Sequence, residues 1–572
     1  MRSCSQLMGR WFWPGLAAAG VALFFALFLG LPLLEVLRGG LLDEHGRPTL
    51  TWLAEVFRNP LYRAGLANTA LLAVVTTGLT LLLALPLAWL GDRFVFPGKK
   101  LFGAALLAPL VLPPFVGALG IQKILGPTGA LNQLLCQLGV ITPAGAPDWL
   151  GGGGFWAVAA VEALHLYPIL YLNVAAALAN VDPALREAAA NLGCTGFRQF
   201  RRITLPLILP GVFAGGTLVF IWSLTELGTP LMFGYNRVTP VQIFNGILEI
   251  GDNPFPFALV IVLLAVTALL YLLARWTVGR HGYATSGKAG GAAAPERLRG
   301  GRAWLASGAF AAVALAGVLP HLAVIGLAFS NQWYNRVFPA GWTLEHARAA
   351  LGHDLVVPSI VNSVHYAGGA LLLAMAAGVL VAWLTERVRL PGAGLLDSLA
   401  MLPLAVPGLV LAFGYLAMTR PGRWLDFLDP VTNPTVLLII AYAVRRLPYV
   451  VRAAAAGLRQ CSITLEEAAA CLGARPATVF RRITLPLIAA NLIAGGVLAF
   501  SFAMLEVSDS LLLAQRAVYF PITKAIYELS MLLGQGPAIA AALGVWTMLF
   551  LGATLLLATA LLGKRLGALF RA

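Results

Sequence analysis

Apolar residues along this chain fall into separate runs of about twenty, divided by short polar or glycine- and proline-rich segments. Examples are residues 11–34, 69–90 and 304–329. A run of this length can cross the ~30 Å hydrocarbon core of a bilayer as an α-helix. The strands of a membrane barrel would instead show segments of about ten residues with alternating polarity, and the sequence has no such series. The pattern therefore predicts an all-α polytopic membrane protein.

The runs predict twelve transmembrane helices, numbered here as spans one to twelve, with six in each half. They are predicted at 12–34, 66–90, 101–121, 155–179, 206–228 and 256–276, and at 304–329, 360–384, 395–417, 434–456, 486–510 and 538–562. The glycine- and alanine-rich segment 281–302 is predicted to be a cytoplasmic linker between a first half at 1–280 and a second half at 303–572.

Composition and charge support a membrane location. Of 572 residues, 59% are hydrophobic and 11% are charged, against about 45–50% and 25% in soluble domains. The net charge of +15 comes from basic residues in short loops and not from a folded basic domain, so lipid and no nucleic acid is the expected partner. With the N-terminus inside, the internal loops hold about twice as many basic residues as the opposite loops, which predicts both termini in the cytoplasm.

The two halves repeat each other in sequence. Positions from Asn68 to Gly120 recur at a shift of 294, and positions from Glu187 to Glu226 recur at a shift of 280. Because each half has an even number of spans, the repeats share one orientation and are related by an axis along the membrane normal.

A polar loop follows the fourth span of each half. The first reads EAAANLGCTGFRQFRRITLPLILP from Glu187, and the second reads EAAACLGARPATVFRRITLPLIAA from Glu467. Asp182 before a proline is typical of a helix N-cap, and Thr464 with Glu467 is predicted to form a capping box. A glycine six residues after each glutamate fits the left-handed residue that ends a short helix. The loops near 181–205 and 461–485 are thus predicted to be short helices joined by a turn.

These loops resemble the EAA loop of type I ABC-importer permeases, in which E-A-A is followed after three residues by Gly and about ten residues later by I-x-L-P. The resemblance covers the whole chain, since two six-span halves with one loop each are similar to the fused permeases of ferric-iron and thiamine importers. It implies the type I ABC importer permease fold in the bacterial inner membrane. The ATPase-coupling residues that it implies are Glu187, Ala188, Ala189, Gly193, Glu467, Ala468, Ala469 and Gly473.

The resemblance also implies the partners: two copies of a cytoplasmic ATP-binding subunit and a periplasmic or extracellular solute-binding protein. The chain itself is then not an enzyme and holds no cofactor, because ATP and Mg are bound by the partner ATPase. The segment 282–288 has the spacing of a nucleotide P-loop, but Ala289 stands where a hydroxyl residue must hold Mg²⁺. The spacing of His346, His353 and Asp354 fits no common metal site, so no metal is expected.

For the solute, the resemblance favours ferric iron, with thiamine, phosphonate, polyamine or an inorganic oxyanion as alternatives. A secondary transporter driven by an ion gradient could also have twelve spans, but it would have no ATPase for the two loops to contact.

Charged residues inside the predicted spans point to the pathway, because each costs at least ~2.5 kcal/mol at the bilayer centre. The candidates are His165, Glu226, Arg445, Arg446, Glu506 and Asp509. Two interpretations stay open: Arg445 pairs with Glu506, or His165 with Glu226, only to hold helices together, or these residues contact the solute. Carboxylates would suit a cation, whereas the arginines would suit an anion or a chelate.

Overall fold

The structure, a computed structural model, describes residues 4–43, 45–111, 113–151, 154–249, 253–280, 296–388 and 392–562. Within these ranges nine helices are long and apolar enough to cross a membrane. They are Trp13–Leu41, Pro60–Arg93, Phe155–Ala179, Gly196–Leu224, Phe255–Leu273, Gly300–Phe329, Val356–Val388, Pro476–Met504 and Gly536–Leu557. They match predicted spans one, two, four to eight, eleven and twelve.

The three remaining spans differ from simple apolar helices. Spans three and nine are bent pairs, Lys99–Leu110 with Pro114–Gln137 and Ala393–Leu404 with Gly408–Met418. Span ten is the helix Thr435–Gln460, which carries Arg445, Arg446, Arg452 and Arg459 and is therefore less apolar than the others. The described helices are consistent with twelve spans.

Spans three and nine, predicted at 101–121 and 395–417, are bent, a feature that the prediction did not include. The two segments meet at 104° in the first half and at 99° in the second. Pro113 and Pro407 stand just before the second segment of each pair. Proline has no amide hydrogen and disfavours the α conformation in the preceding residue, so it favours an interruption of the helix at these positions.

Spans five and eleven end earlier than the predicted 228 and 510. Their helices stop at Leu224 and Met504, and short helices follow at Gly228–Met232 and Ser508–Leu513. In the second half the break is stabilised because the freed carbonyl of Glu506 accepts hydrogen bonds from Ser510 Oγ at 2.5 Å and Thr523 Oγ1 at 2.7 Å. An irregular backbone at membrane depth needs such partners.

The two halves interlock through their first spans. Helix Leu31–Leu41 of span one packs on Gly408–Met418 of span nine, and span seven packs on Pro114–Leu125 of span three. The repeated glycines Gly120 and Gly414 make this possible. A Cβ on Gly414 would lie 2.7 Å from the carbonyl oxygen of Pro32, and one on Gly120 would overlap the equivalent oxygen of Pro320.

The predicted linker lies largely outside the described residues, which omit 281–295 and with them the P-loop-like segment. The part that follows is anchored on the first half, because Glu296–Arg297 pairs in parallel with Phe94–Val95. The helix of span seven begins at Gly300, earlier than the predicted 304. Ser307 Oγ then donates to the carbonyl of Pro97 at 2.7 Å.

Candidate functional site

The two polar loops each begin with a capped helix. In the first loop, Asp182 accepts a hydrogen bond from the amide of Ala184 at 2.9 Å and starts the helix Pro183–Asn191, as predicted. In the second, Ser462 caps the helix Ile463–Cys471 by accepting from the amide of Thr464 at 3.3 Å. The predicted capping box was therefore wrong, because Thr464 lies inside the first turn. Ser462 is the repeat equivalent of Asp182 and could have been found from the shift of 280.

A glycine turn ends each helix in the predicted left-handed conformation. Gly193 has φ of +77° and Gly473 has φ of +85°. The next residue closes the turn, since the amide of Cys194 donates to the carbonyl of Ala189 at 2.8 Å and that of Ala474 to Ala469 at 3.0 Å. This is the Schellman arrangement, and it aims the following chain back towards span five or eleven.

The tip of each loop exposes a leucine. Leu192 is 88% exposed and Leu472 is 89% exposed. Around them lie the predicted coupling residues Glu187, Ala188, Glu467 and Ala468, which are exposed, whereas Ala189 is buried and Ala469 half-buried. The sequence prediction passed over both leucines, although their recurrence at the shift of 280 was a usable signal. In the first loop, Phe197 and Leu185 are also exposed, at 75% and 48%, so the leucine belongs to a group of exposed apolar side chains of the kind found in contact surfaces.

An ion pair joins each loop to the end of span two or eight, with its signs reversed between the halves. Arg186 contacts Asp92 at 2.9 Å in the first half. Glu466 contacts Arg387 at 3.0 Å in the second half, although Glu466 is the repeat equivalent of Arg186. The loop residue therefore occupies the same repeat position with opposite charge, while its partner is displaced by one residue, since Asp92 corresponds to Glu386 at the shift of 294.

A cavity of about 140 Å³ lies where the two halves meet, beside the breaks in spans five and eleven. It is lined by five of the six predicted pathway residues: His165, Glu226, Arg445, Arg446 and Glu506. Asp509 lies behind this wall with Oδ2 3.5 Å from Arg445. The structure therefore brings together residues that are up to 344 positions apart in the chain.

The second-half wall of the cavity is a compact ion-pair cluster. Both Arg445 and Arg446 pair with Glu506, and Arg446 also donates to the carbonyl of Phe502 at 2.9 Å. The predicted pair of Arg445 with Glu506 is thus present. Gly408 makes room for it, because a Cβ at that position would overlap the Arg445 guanidinium.

The first-half wall holds carboxylates instead. The described contacts do not pair His165 with Glu226; Glu226 accepts from the amide and the hydroxyl of Thr229, both at 3.1 Å. Glu162, which the sequence prediction left outside the site, accepts from Ser223 and, at 3.3 Å, from Thr76. Its other oxygen is buried without a hydrogen-bond partner.

Metal centres of the ordinary kind are absent from the described residues, where no three His, Cys, Asp or Glu side chains are grouped to hold an ion. His346 Nε2 instead makes a hydrogen bond at 3.0 Å with the carbonyl of Ser330.

Comparison with known proteins places these features in a family. Residues 61–281 and 374–565 match the family described as "binding-protein-dependent transport system inner membrane component". Each match contains one loop, one bent span and one span that breaks near its end.

Three relatives illustrate the similarity. A ferric transport system permease protein of Actinobacillus pleuropneumoniae is 29% identical, over 80% of this chain and 64% of that protein. A Fe(3+)-transport system permease protein of Haemophilus influenzae is 28% identical, over 82% of this chain and 85% of that protein. A probable molybdenum ABC transporter permease of Haloferax volcanii is 34% identical over 39% of this chain and 80% of its own. The chain belongs to the family of inner-membrane components of binding-protein-dependent transport systems.

Proposed function

We propose that this permease carries ferric iron across the bacterial inner membrane, and that each of its two loops contacts one copy of a cytoplasmic ATP-binding subunit. The observation that carries the proposal is the duplicated loop. Both copies have a capped helix, a left-handed glycine and a leucine that is almost fully exposed at the tip. Two equal contact surfaces in one chain favour two copies of the partner.

Membership of this family suggests separate roles for the permease and its partner. ATP and Mg²⁺ are held by the partner ATPase, and this chain supplies the pathway without a cofactor or an enzymatic step of its own. Both termini and both loops face the cytoplasm, as the distribution of basic residues favours. The opposite face, periplasmic or extracellular, receives the solute-binding protein, and lipid surrounds the spans.

The cavity between the halves is the proposed pathway at membrane depth. Breaks in spans five and eleven put Glu226 and Glu506 beside it, and Gly228 brings the breaks together, since a Cβ there would lie 3.0 Å from Val507. Broken helices at the interface of two repeats are typical of solute sites in transporters. Passage requires the cavity to open, so Glu506 must exchange its arginine partners.

Ferric iron is the solute that the relatives and the cavity both favour. The two relatives described above that align with 80% and 82% of this chain are named ferric and Fe(3+) transport permeases. The oxygen ligands that hard cations prefer are present as carboxylates. An inorganic oxyanion is the second candidate, favoured by Arg445, Arg446 and the molybdenum permease, but both arginines are already paired with Glu506.

The proposal is tested in proteoliposomes that contain the permease, its ATP-binding partner and its solute-binding protein. We expect ATP-dependent uptake of labelled iron(III) and no uptake of labelled molybdate. Gly193→Pro and Gly473→Pro should each abolish uptake, because proline cannot adopt the positive φ of the turn. Uptake of molybdate alone would overturn the assignment of iron, and normal uptake by both proline variants would overturn the role of the loops.

A further inference from the structure

The two walls of the cavity differ in charge although they come from repeated halves. At the shift of 280, Arg445 corresponds to His165, Arg446 to Leu166 and Asp509 to Thr229. Glu162, conversely, stands where the second half has Tyr442. The second half thus has two arginines at the cavity. The first half has carboxylates, and no arginine or lysine is paired with them among the described residues.

The charges around the cavity do not balance. Glu162, Glu226, Glu506 and Asp509 are four carboxylates, against the two guanidinium groups of Arg445 and Arg446. Both arginines pair with Glu506, and Arg445 also contacts Asp509. The excess negative charge belongs to Glu162 and Glu226, which are close enough to interact electrostatically. Two ionised carboxylates at membrane depth are costly unless a cation or protons neutralise them.

Glu162 is built to hold a ligand on one side only. The residue is 1% exposed, and one of its carboxylate oxygens is fixed by Ser223 and Thr76. The other oxygen has no partner, and the residue lines the cavity. A buried acceptor without a hydrogen-bond partner is unfavourable, so a positively charged or hydrogen-donating group that binds there is stabilised.

We propose that Glu162 and Glu226 form the cation-binding wall of the cavity, where a hard multivalent cation is held during passage. The inference rests on the proposed function, of which it names the substrate contacts. The neighbouring hydroxyls of Ser223 and Thr229 orient the two carboxylates. Glu506 is the third carboxylate of the cavity. When it separates from the arginines, it joins Glu162 and Glu226 and completes the cation site.

The binding step is measured with Tb³⁺, a hard trivalent cation that luminesces when a nearby tryptophan transfers energy to it. Trp222 lines the cavity and serves as the donor. Tb³⁺ is titrated into the purified complex of this chain with its ATP-binding partner, in the nucleotide-free and the ATP-bound states. We expect a saturable signal in at least one state that is competed by Ga³⁺ and lost in Trp222→Phe.

Glu162→Gln and Glu226→Gln preserve size and remove one charge each, and each should weaken Tb³⁺ binding at least tenfold without lowering the thermal transition of the complex. The matched control is Glu528→Gln, which removes a carboxylate that pairs with Lys524 outside the cavity and should leave Tb³⁺ binding unchanged. No Trp222-dependent signal in either state, or unchanged binding in both glutamine variants, would overturn the cation-binding wall.

Iron uptake by the same variants separates this inference from the proposed function. Full iron uptake by Glu162→Gln and Glu226→Gln would refute the cation-binding wall while the permease remains an iron importer. Tb³⁺ binding that depends on both glutamates, in a wild-type protein that takes up no iron, would support the wall and refute iron as the solute.

Discussion

At the residue scale, the ion-pair cluster depends on a position that has no side chain. Gly408 begins the second segment of span nine, and the Arg445 guanidinium lies directly against it. Gly408→Ala should displace Arg445 from Glu506, at a cost of about 1–3 kcal/mol in the free energy of unfolding because the site is overpacked. Thermal unfolding of the purified complex measures this cost.

Gly368→Ala is the matched control for that substitution. Gly368 lies inside span eight, and a Cβ there meets no atom within 4 Å. Alanine should be neutral or stabilise the helix by about 0.5–1 kcal/mol. Equal transition temperatures for the two variants would show that the contact between Gly408 and Arg445 is unimportant.

The sequence predicted the members of this cluster better than their arrangement. Charges inside apolar runs are conspicuous, so Arg445, Arg446 and Glu506 could be selected from cost alone. Glu162 lies inside the apolar run 155–179 and meets the same criterion, but the sequence could not show that Ser223 and Thr76, from two other spans, hold only one of its oxygens. Which carboxylates are paired and which are not is a tertiary property that spacing along the chain does not contain.

At the scale of elements, the exposed tip of each loop is the feature to disrupt. Leu192→Asp or Leu472→Asp should reduce uptake at least tenfold, because a charge would be placed in an apolar contact with the ATP-binding subunit. Their high exposure predicts changes in the free energy of unfolding within about ±0.5 kcal/mol. Co-purification of the ATP-binding subunit and iron uptake are the two measurements.

Leu533→Asp provides a control with comparable exposure. Leu533 is 98% exposed in the connection between Ile522–Met531 and span twelve, on the opposite face of the membrane. The substitution Leu533→Asp should leave the association with the ATP-binding subunit intact. Retention of that subunit by a double variant of Leu192 and Leu472 would contradict the assignment of the loop tips.

The sequence predicted helices well and their interruptions poorly. The apolar pattern of spans five and eleven is the same whether the helix stops at Leu224 and Met504 or continues, so periodicity could not reveal the breaks. In spans three and nine the repeated prolines were visible, but a proline inside an apolar run is also compatible with a mild kink. The size of the bends, 104° and 99°, is a property of the folded chain that the sequence pattern did not indicate.

At the scale of the whole molecule, the first span of each half packs against the third span of the other half. We therefore expect Gly120→Ala and Gly414→Ala to lower the thermal transition of the entire protein, each at a cost of about 1–3 kcal/mol in the free energy of unfolding. Both new methyl groups would meet a proline carbonyl of the opposite half. Gly308→Ala is the control in span seven, where a Cβ meets nothing within 4 Å. A transition unchanged by either substitution would indicate that the halves do not depend on this contact.

The sequence established that there are two repeats in parallel orientation, but it could not show this exchange of first spans. Span one and span seven are apolar on all sides, and nothing in their pattern selects a partner from the other half. Gly120 and Gly414 recurred at a constant shift, yet only the positions of Pro320 and Pro32 explain why the glycines are needed.

The central claim is that the ion-pair cluster on the second-half wall of the cavity belongs to the transport pathway and is more than a structural pair. A double-mutant cycle on Arg445→Gln and Glu506→Gln, measured in the reconstituted importer, tests it most directly. Thermal stability and substrate-stimulated ATP hydrolysis are recorded for the wild type, both single variants and the double variant. We predict a coupling energy of about 0.5–3 kcal/mol in stability, accompanied by non-additive loss of substrate-stimulated hydrolysis. Coupling in stability with fully additive or unchanged hydrolysis would contradict the claim and leave the cluster as a structural link between helices.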